Sequence, residues 1–315
     1  MRAMVIDQTG SADVFRAARL PIPTPIISEL LVKVSAAGIN PIDAKTRAGG
    51  GVSSVIHRYP CILGNDFSGV VVRSPYPAHE LQPGDEVYGM VMVPRYDGAY
   101  AEYLTVPTMS VAKKPRNLSA AEAAGVPLAA LTAWGMVVEV AAAHQGQRIL
   151  IHAGSGGVGH FAVQFAAHFG AHVISTASTA NLQWLTELGA AQAVDYTTTR
   201  FEDVVDKVDV VIDLIGNVHD DTGSRSLGVL RPGGLIINAP TGSWPSFLAD
   251  TEKAGVRGTT FKVSPEGRTL REITALLESG EVRVDIEKVF DLTDVANAHR
   301  AIETGHTRGK LVLTV

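Results

Sequence analysis

The chain has 315 residues, 46% of them hydrophobic, a formal net charge of −5 and one cysteine, Cys61. That length accommodates two domains with a sizeable core, and a charge spread without long single-sign runs offers neither a nucleic-acid groove nor a patch for an anionic membrane. A lone cysteine excludes an intramolecular disulfide and a thiolate zinc cluster and points to a reducing, cytoplasmic setting. The first residues, Met1 to Asp7, lack an uninterrupted apolar signal core.

The first part reads as β-rich. Strand-like runs at 30–34, 69–72, 85–90 and 101–106 are separated by turn material such as Gln82-Pro83-Gly84-Asp85, which predicts a partly antiparallel, barrel-like domain over 1–120. The basic cluster Lys113-Lys114-Pro115-Arg116 reads as a solvated loop. From 123 to 143 the only charge is Glu139, and the length would cross a bilayer. Gly125 and Pro127 near its start, and the capping box Ser119-x-x-Glu122 before it, predict a buried helix instead.

After Ser119 strands and helices alternate. Strands are expected at 148–153, 172–176, 192–195, 208–213 and 234–238, so 121–257 should form a parallel sheet covered on both faces. The first of these strands runs into His152-Ala153-Gly154-Ser155-Gly156-Gly157-Val158-Gly159 and then a helical stretch at 161–166. Strand, Gly154-x-Gly156-x-x-Gly159 and helix together form a dinucleotide signature. The glycines are expected to open backbone conformations closed to other residues and to let the chain approach a pyrophosphate closely. The helix N-terminus offers unpaired N–H groups and about half a unit of positive charge. A tight turn that holds no ligand is the ordinary alternative.

An NAD site closes the next strand with an acidic residue, about twenty residues after the first glycine. Here the strand at 172–176 runs into Ala177-Ser178-Thr179-Ala180-Asn181, and no Asp or Glu occurs from Val140 to Thr186. A 2′-phosphate would meet no local like charge, which favours NADP over NAD, although no Arg or Lys stands there to grip it. Ser178, Thr179 and Asn181 are expected on the cofactor, and residues of these types also cap helices. The run 208–213 continues into Leu214, Ile215 and Gly216, and 233–239 ends in Ala239; both ends should reach the sheet's carboxyl edge, where ligands bind in such folds. Past 258, an amphipathic helix at 270–278 stops at Gly280. A strand-like end at 310–315 is expected to return to the first domain.

Several segments carry a family resemblance: Ala37-Gly38-Ile39-Asn40-Pro41-Ile42-Asp43, Leu63-Gly64-Asn65-Asp66-Phe67-Ser68-Gly69, Pro83-Gly84-Asp85-Glu86-Val87, Gly98-Ala99-Tyr100-Ala101-Glu102-Tyr103, Ala130-Leu131-Thr132-Ala133-Trp134, the glycine turn, Gly189-Ala190 and Thr307-Arg308-Gly309-Lys310-Leu311-Val312. In this order they span essentially the whole chain, which resembles the medium-chain dehydrogenase/reductase superfamily and, within it, the zinc-independent quinone oxidoreductases that use NADPH. The resemblance implies an α/β protein: a Rossmann-type doubly wound parallel sheet at 121–257, and a β-rich GroES-like barrel domain from 1–120 that 258–315 completes. It also implies a homodimer, built by extending the parallel sheet across two chains at an exposed edge.

Zinc-dependent alcohol dehydrogenases of this superfamily carry a cysteine where this chain has Asn40 and a histidine where it has Asn65. A catalytic zinc needs three protein ligands of the His, Cys or carboxylate kind, so no metal is expected. His144, His152, His160 and His168 recur regularly, but an eight-residue step is two helical turns plus about eighty degrees, and they cannot converge from one helix. His160 is expected on a helix surface or a domain interface, and His57 in a loop.

Without zinc the acceptor must already be electrophilic, a quinone or an α,β-unsaturated carbonyl, and the protein supplies orientation, exclusion of water and charge stabilisation. In the resembling family an Asn-Pro-x-Asp-x-Lys segment lines the cleft beside the nicotinamide; here it is Asn40-Pro41-Ile42-Asp43-Ala44-Lys45. Asn40 and Lys45 are therefore the catalytic candidates, one donating without a change of charge, the other acting as a point charge. Pairing of Asp43 with Lys45 on a loop is the ordinary alternative. The resemblance also puts Thr132 at the nicotinamide end, Ser155, Gly157 and Val158 in the phosphate turn, Tyr196 near the 2′-phosphate, and Arg308 and Lys310 on the cofactor phosphates. A helix threonine bonded to a carbonyl, a half-exposed aromatic and plain surface charge are the alternatives. Some members carry lysine where this chain has Asn181, which weakens the grip on the 2′-phosphate. The rival functions are an enoyl-thioester reductase, for which loops 46–51 and 55–58 offer only Arg47 and Arg58 as a basic entrance, and a non-catalytic NADPH-sensing protein. An RNA-binding relative would need a basic stripe.

Overall fold

The computed structural model describes residues 1–315, which divide into two compact units, Met1–Leu131 with Ser264–Val315, and Thr132–Val263. The first unit is organised by its longest strand, Glu29–Ile39. This strand pairs antiparallel with Tyr103–Pro107, with Asp66–Arg73 and, from the C-terminal segment, with Lys310–Thr314. Lys33 and Ser35 face outward in its first half, whereas Ala36 to Ile39 are buried on both faces, as expected where a strand has neighbours on each side and other chain above it. The register sets Asp66 opposite Gly38 and Leu311 opposite Ile39. Asp66 and Lys310 therefore arrive at the strand end that leads into Asn40. Gly38 is required there, because a Cβ would lie 2.3 Å from the carbonyl oxygen of Ala124. Val5, Leu30, Val32, Phe67, Leu104 and Leu313 lie in the core of this unit, each such side chain contributing roughly 1.5–3 kcal/mol by burial.

The apolar stretch near the middle of the chain is broken rather than one continuous helix. Ser119 and Glu122 form the expected capping box on helix Ala120–Ala124, which stops at Gly125. Pro127, whose missing N–H is harmless in a first turn, starts a new helix to Trp134, and a π-helical turn, Gly135–Val140, follows. No helix is long and apolar enough to cross a membrane.

The second unit is a six-stranded parallel sheet in the order Gln192–Asp195, His172–Ala177, Arg148–Ile151, Val208–Asp213, Leu230–Asn238, Arg257–Thr260. All five expected strands are present; the sixth, at the edge, was too polar to read as one. Leu150, Ile174, Val194, Val211 and Ile236 from successive strands share a core. The order reverses between Arg148–Ile151 and Val208–Asp213, and in such sheets ligands bind at that reversal, outside the carboxyl ends. The glycine turn leaves one of these two strands and Leu214 to Gly216 leave the other.

Candidate active-site elements

In the glycine turn, none of Gly154, Gly156 and Gly159 has a positive φ; the left-handed residue is Ala153, at φ 51°. The expectation that these glycines act through backbone freedom is thereby corrected: they act through the side chain they lack. A Cβ at Gly154 would lie 1.9 Å from Ser175 Oγ, and one at Gly159 2.1 Å from the carbonyl oxygen of Ala153. At Gly156 the nearest atom would be 3.3 Å away. Two glycines thus let strand and helix pack, and Gly156 leaves an open face of the kind a pyrophosphate approaches. Ser155, Gly157 and Val158 are half-buried, and the helix starts at Gly159, with the N–H groups of His160 and Ala162 already bonded to the carbonyls of Gly156 and Val158.

Ala153, in a conformation unfavourable to L-residues, is tied through Thr176 to His152, which the sequence pattern brings up only as a metal ligand. His152 is buried; its Nε2 lies 2.8 Å from Ser226 Oγ and its Nδ1 3.2 Å from Thr176 Oγ1. Ser226 donates its own proton to the carbonyl of Thr222, so it accepts from Nε2–H, and Nδ1 accepts from Thr176. Thr176 Oγ1 in turn accepts from the N–H of Ala153 at 3.3 Å. Burial pushes His152 down to about 4, so the neutral ring this pattern requires persists at neutral pH. The only signal in the sequence was its place directly before the turn. His160 corrects a second expectation: it is not on a surface but fully buried, with Nδ1 3.0 Å from the Gly156 carbonyl and its ring beside Phe161 and Trp184.

At the end of the second strand Ser178 is half-buried and Thr179 exposed. Neither Ser178 nor Asn181 caps a helix through its side chain; Asn181 Nδ2 donates to Ser178 Oγ at 3.3 Å. The Tyr196 N–H bonds the Ala177 carbonyl, and its side chain is exposed. One expectation fails here. Ala177 is paired with Asp195 across the sheet, and Thr179 donates its hydroxyl proton to Asp195 at 2.5 Å. A carboxylate therefore does stand at this strand end, delivered by the neighbouring strand rather than by the local sequence.

At the sheet's carboxyl edge, Asp213 is fully buried. Its Oδ1 accepts from the N–H groups of Ile215 and Gly216 at 2.9 and 2.8 Å, its Oδ2 from Asn238 Nδ2 at 2.7 Å, and its carbonyl from the Ala239 N–H. Ile215 and Gly216 are thus tied to one carboxylate, and Ala239 to the backbone of the same residue, while Leu214 lies between Asp213 and Ile215 in the chain. Thr132 is buried, on helix Pro127–Trp134.

In the first unit Asn40 ends the long strand and caps helix Pro41–Arg47, with its N–H donating to Asp43 at 2.9 Å. Its amide faces inward: Nδ2 donates to Asp66 at 2.9 Å, and Oδ1 accepts from Lys310. Asp66 also accepts from the Leu128 N–H. Lys310 corrects a fourth expectation. It does not project from the tail towards a phosphate; it is buried, donating to the Ile39 carbonyl and to Asn40, with Asp66 3.8 Å away. Arg308 is exposed beside Asp285. Asp43 points inward while Lys45 is exposed, so the two do not form the loop ion pair. Burial raises Asp43 to about 7, with Asp66 adding to the effect, and burial likewise raises Asp66 and lowers Lys310. The histidine position of zinc enzymes holds Asn65, whose amide donates to the Val91 carbonyl at 2.8 Å. With Asn40 and Asn65 so engaged, and no group of three or more His, Cys, Asp or Glu side chains disposed to hold an ion, these residues do not fit a catalytic zinc.

Residues 27–116 match the family described as alcohol dehydrogenase GroES-like domain, and residues 188–313 the one described as zinc-binding dehydrogenase. Among curated proteins, the chain is 36% identical to the NADPH-dependent alkenal/one oxidoreductase, chloroplastic, of Arabidopsis thaliana, over 99% of this chain and 79% of that one. It is 32% identical to a mitochondrial NAD(P)H oxidoreductase of Danio rerio, over 100% of this chain and 91% of that one. Among solved structures, the quinone oxidoreductase from Coxiella burnetii superposes with a TM-score of 0.93 at 36% identity, over 100% and 99% of the two chains.

Proposed function

This chain belongs to the medium-chain dehydrogenase/reductase superfamily, and from that premise we propose that it is an NADPH-dependent, zinc-independent reductase of quinones or α,β-unsaturated carbonyls. The observation that carries the cofactor reading is the meeting of two turns at the reversal of the parallel sheet, one with an open glycine at Gly156, the other drawn tight by Asp213. Gly154, Ser155, Gly156, Gly157, Val158 and Gly159 would take the pyrophosphate, and Ser178, Thr179, Asn181 and Tyr196 the adenosine end. Leu214, Ile215, Gly216, Ala239 and Thr132 would line the path towards the nicotinamide. When bound, NADPH supplies a hydride from its nicotinamide C4.

The protein's own contribution is positioning and charge. His152 and Thr176 fix the left-handed Ala153 and so aim the turn. Lys310 and Asp66 fix the amide of Asn40 by both ends, which leaves one Nδ2 proton uncommitted; that proton and the exposed ammonium of Lys45 are the donors proposed for the enolate or hydroquinone oxygen. A solvent proton completes the reduction. We also propose a homodimer, supported by the free side of edge strand Arg257–Thr260, and a cytoplasmic setting, supported by the single buried thiol of Cys61. Light scattering that finds a monomer would overturn the dimer.

The function is tested by stopped-flow oxidation of NADPH against quinones, alkenals and enoyl thioesters. Rapid turnover of quinones or alkenals is expected. Turnover confined to enoyl thioesters would transfer the assignment to thioester reduction, and tight NADPH binding with no turnover would make the chain a sensor.

A further inference from the structure

Asp195 is fixed beside the strand end at which dinucleotide-binding sheets read the ribose of an adenosine. It closes strand Gln192–Asp195, opposite Ala177, the last residue of the strand that follows the glycine turn. Its Oδ2 accepts the Thr179 hydroxyl at 2.5 Å, and its Oδ1 accepts the Thr197 N–H at 2.9 Å and hydroxyl at 2.6 Å. Donation from Thr179, then from Thr197, holds the carboxyl below its ordinary range, so it is ionised throughout the physiological window. The cation nearest in sequence, Arg200, is turned to Glu202 at 2.9 Å. Thr179 has one proton to give, and Asp195 has it.

We propose that Asp195 sets how strongly this chain prefers NADPH over NADH: as a fixed anion beside Thr179, it opposes a 2′-phosphate and leaves a 2′-hydroxyl free to donate to it. The inference rests on the nucleotide reading above and names the residue that tunes it. A phosphate could take the Thr179 proton only by displacing Asp195, and it would bring a like charge to that carboxylate. A ribose hydroxyl can donate to the carboxylate, as it does to the acidic residue that closes the preceding strand in NAD sites; here Asp195 offers the same group from the neighbouring strand. The chain therefore binds both nucleotides, with a narrow preference for the phosphorylated one.

The test is fluorescence titration of the full chain with NADPH and with NADH, at low and at high salt. For the wild type, dissociation constants within about tenfold of each other are expected. Asp195→Asn keeps an oxygen acceptor for Thr197 and removes the charge; it should tighten NADPH roughly tenfold while moving NADH less than about twofold, and the gain should shrink as salt rises. Asp195→Glu keeps the charge and should retain the wild-type ratio. An unmoved ratio in Asp195→Asn overturns the proposal. So does weaker NADPH binding, which would mean that the carboxylate aims Thr179 at the phosphate, and so does an Asp195→Glu variant that behaves like Asp195→Asn. Failure of the wild type to bind either nucleotide overturns the nucleotide reading and this inference together, whereas binding of both with an unmoved ratio overturns the inference alone.

Discussion

Two polar clusters in this chain use the same parts, a carboxylate held by amide, hydroxyl or backbone donors, and differ in their access to water. In the first unit Asn40, Asp43, Asp66 and Lys310 are each at most 3% exposed. In the second, Asp195 shares a strand end with exposed Thr179, Tyr196 and Thr197. Burial reverses the sign of the pKa shift: loss of water raises Asp43 and Asp66, while hydrogen bonds hold Asp195 low. The sealed cluster can organise backbone and side chains but cannot present a charge to a ligand. The open one contributes little to the fold and presents a permanent charge.

The largest consequence concerns Lys310. Removing one partner of a buried ion pair leaves an uncompensated charge, so Lys310→Met should destabilise the protein by about 3–5 kcal/mol in urea unfolding. A loss below about 1 kcal/mol, the range of exposed pairs, would erase the distinction between the two clusters.

Next comes Asp43. Its folded-state value, about 7, lies above the ordinary 3.8. The folded state thus holds a proton that the unfolded chain releases earlier, and the stability this confers is complete below pH 3.8 and lost as pH rises through 7. Relative to Asp43→Asn, the wild type should weaken between those limits by an amount on the order of a few kcal/mol. Unfolding curves for both proteins across that range provide the check, and parallel pH dependences would sink the idea that burial holds a proton on Asp43.

The same contrast explains how much was legible in the sequence. Periodicity revealed five of the six parallel strands and the glycine turn, because each is written in consecutive residues. The edge strand Arg257–Thr260 was not visible, since half-exposed polar residues on a sheet edge carry no apolar run. What escaped at the site was long-range in every case. Lys310 lies 270 residues from Asn40, Ser226 lies 74 from His152, and Asp195 lies 16 from Thr179. The absence of acidic residues from Val140 to Thr186 was true of the chain and misleading about the fold, because a parallel sheet sets the end of one strand beside the end of the next. The recognisable motif points to Lys45 and the tail motif sends Lys310 to the phosphates; only the pairing of Lys310–Thr314 with Glu29–Ile39 shows that Lys310 turns inward to Asn40.

The smallest effect on stability belongs to Asp195, and its sign is the sharpest part of the comparison. Its folded-state value lies below the ordinary 3.8, so any contribution it makes is present above that pH and fades as pH falls through the folded value. Asp43 acts in the opposite direction, losing its contribution as pH rises. Asp195→Asn should therefore leave the unfolding midpoint at neutral pH close to that of the wild type, with any gap between the two closing on acidification, while Asp43→Asn diverges from the wild type as pH rises towards neutrality. A large neutral-pH loss in Asp195→Asn would mean that its bonds to Thr179 and Thr197 hold the strand ends together, and the open cluster would then be structural in the same sense as the sealed one.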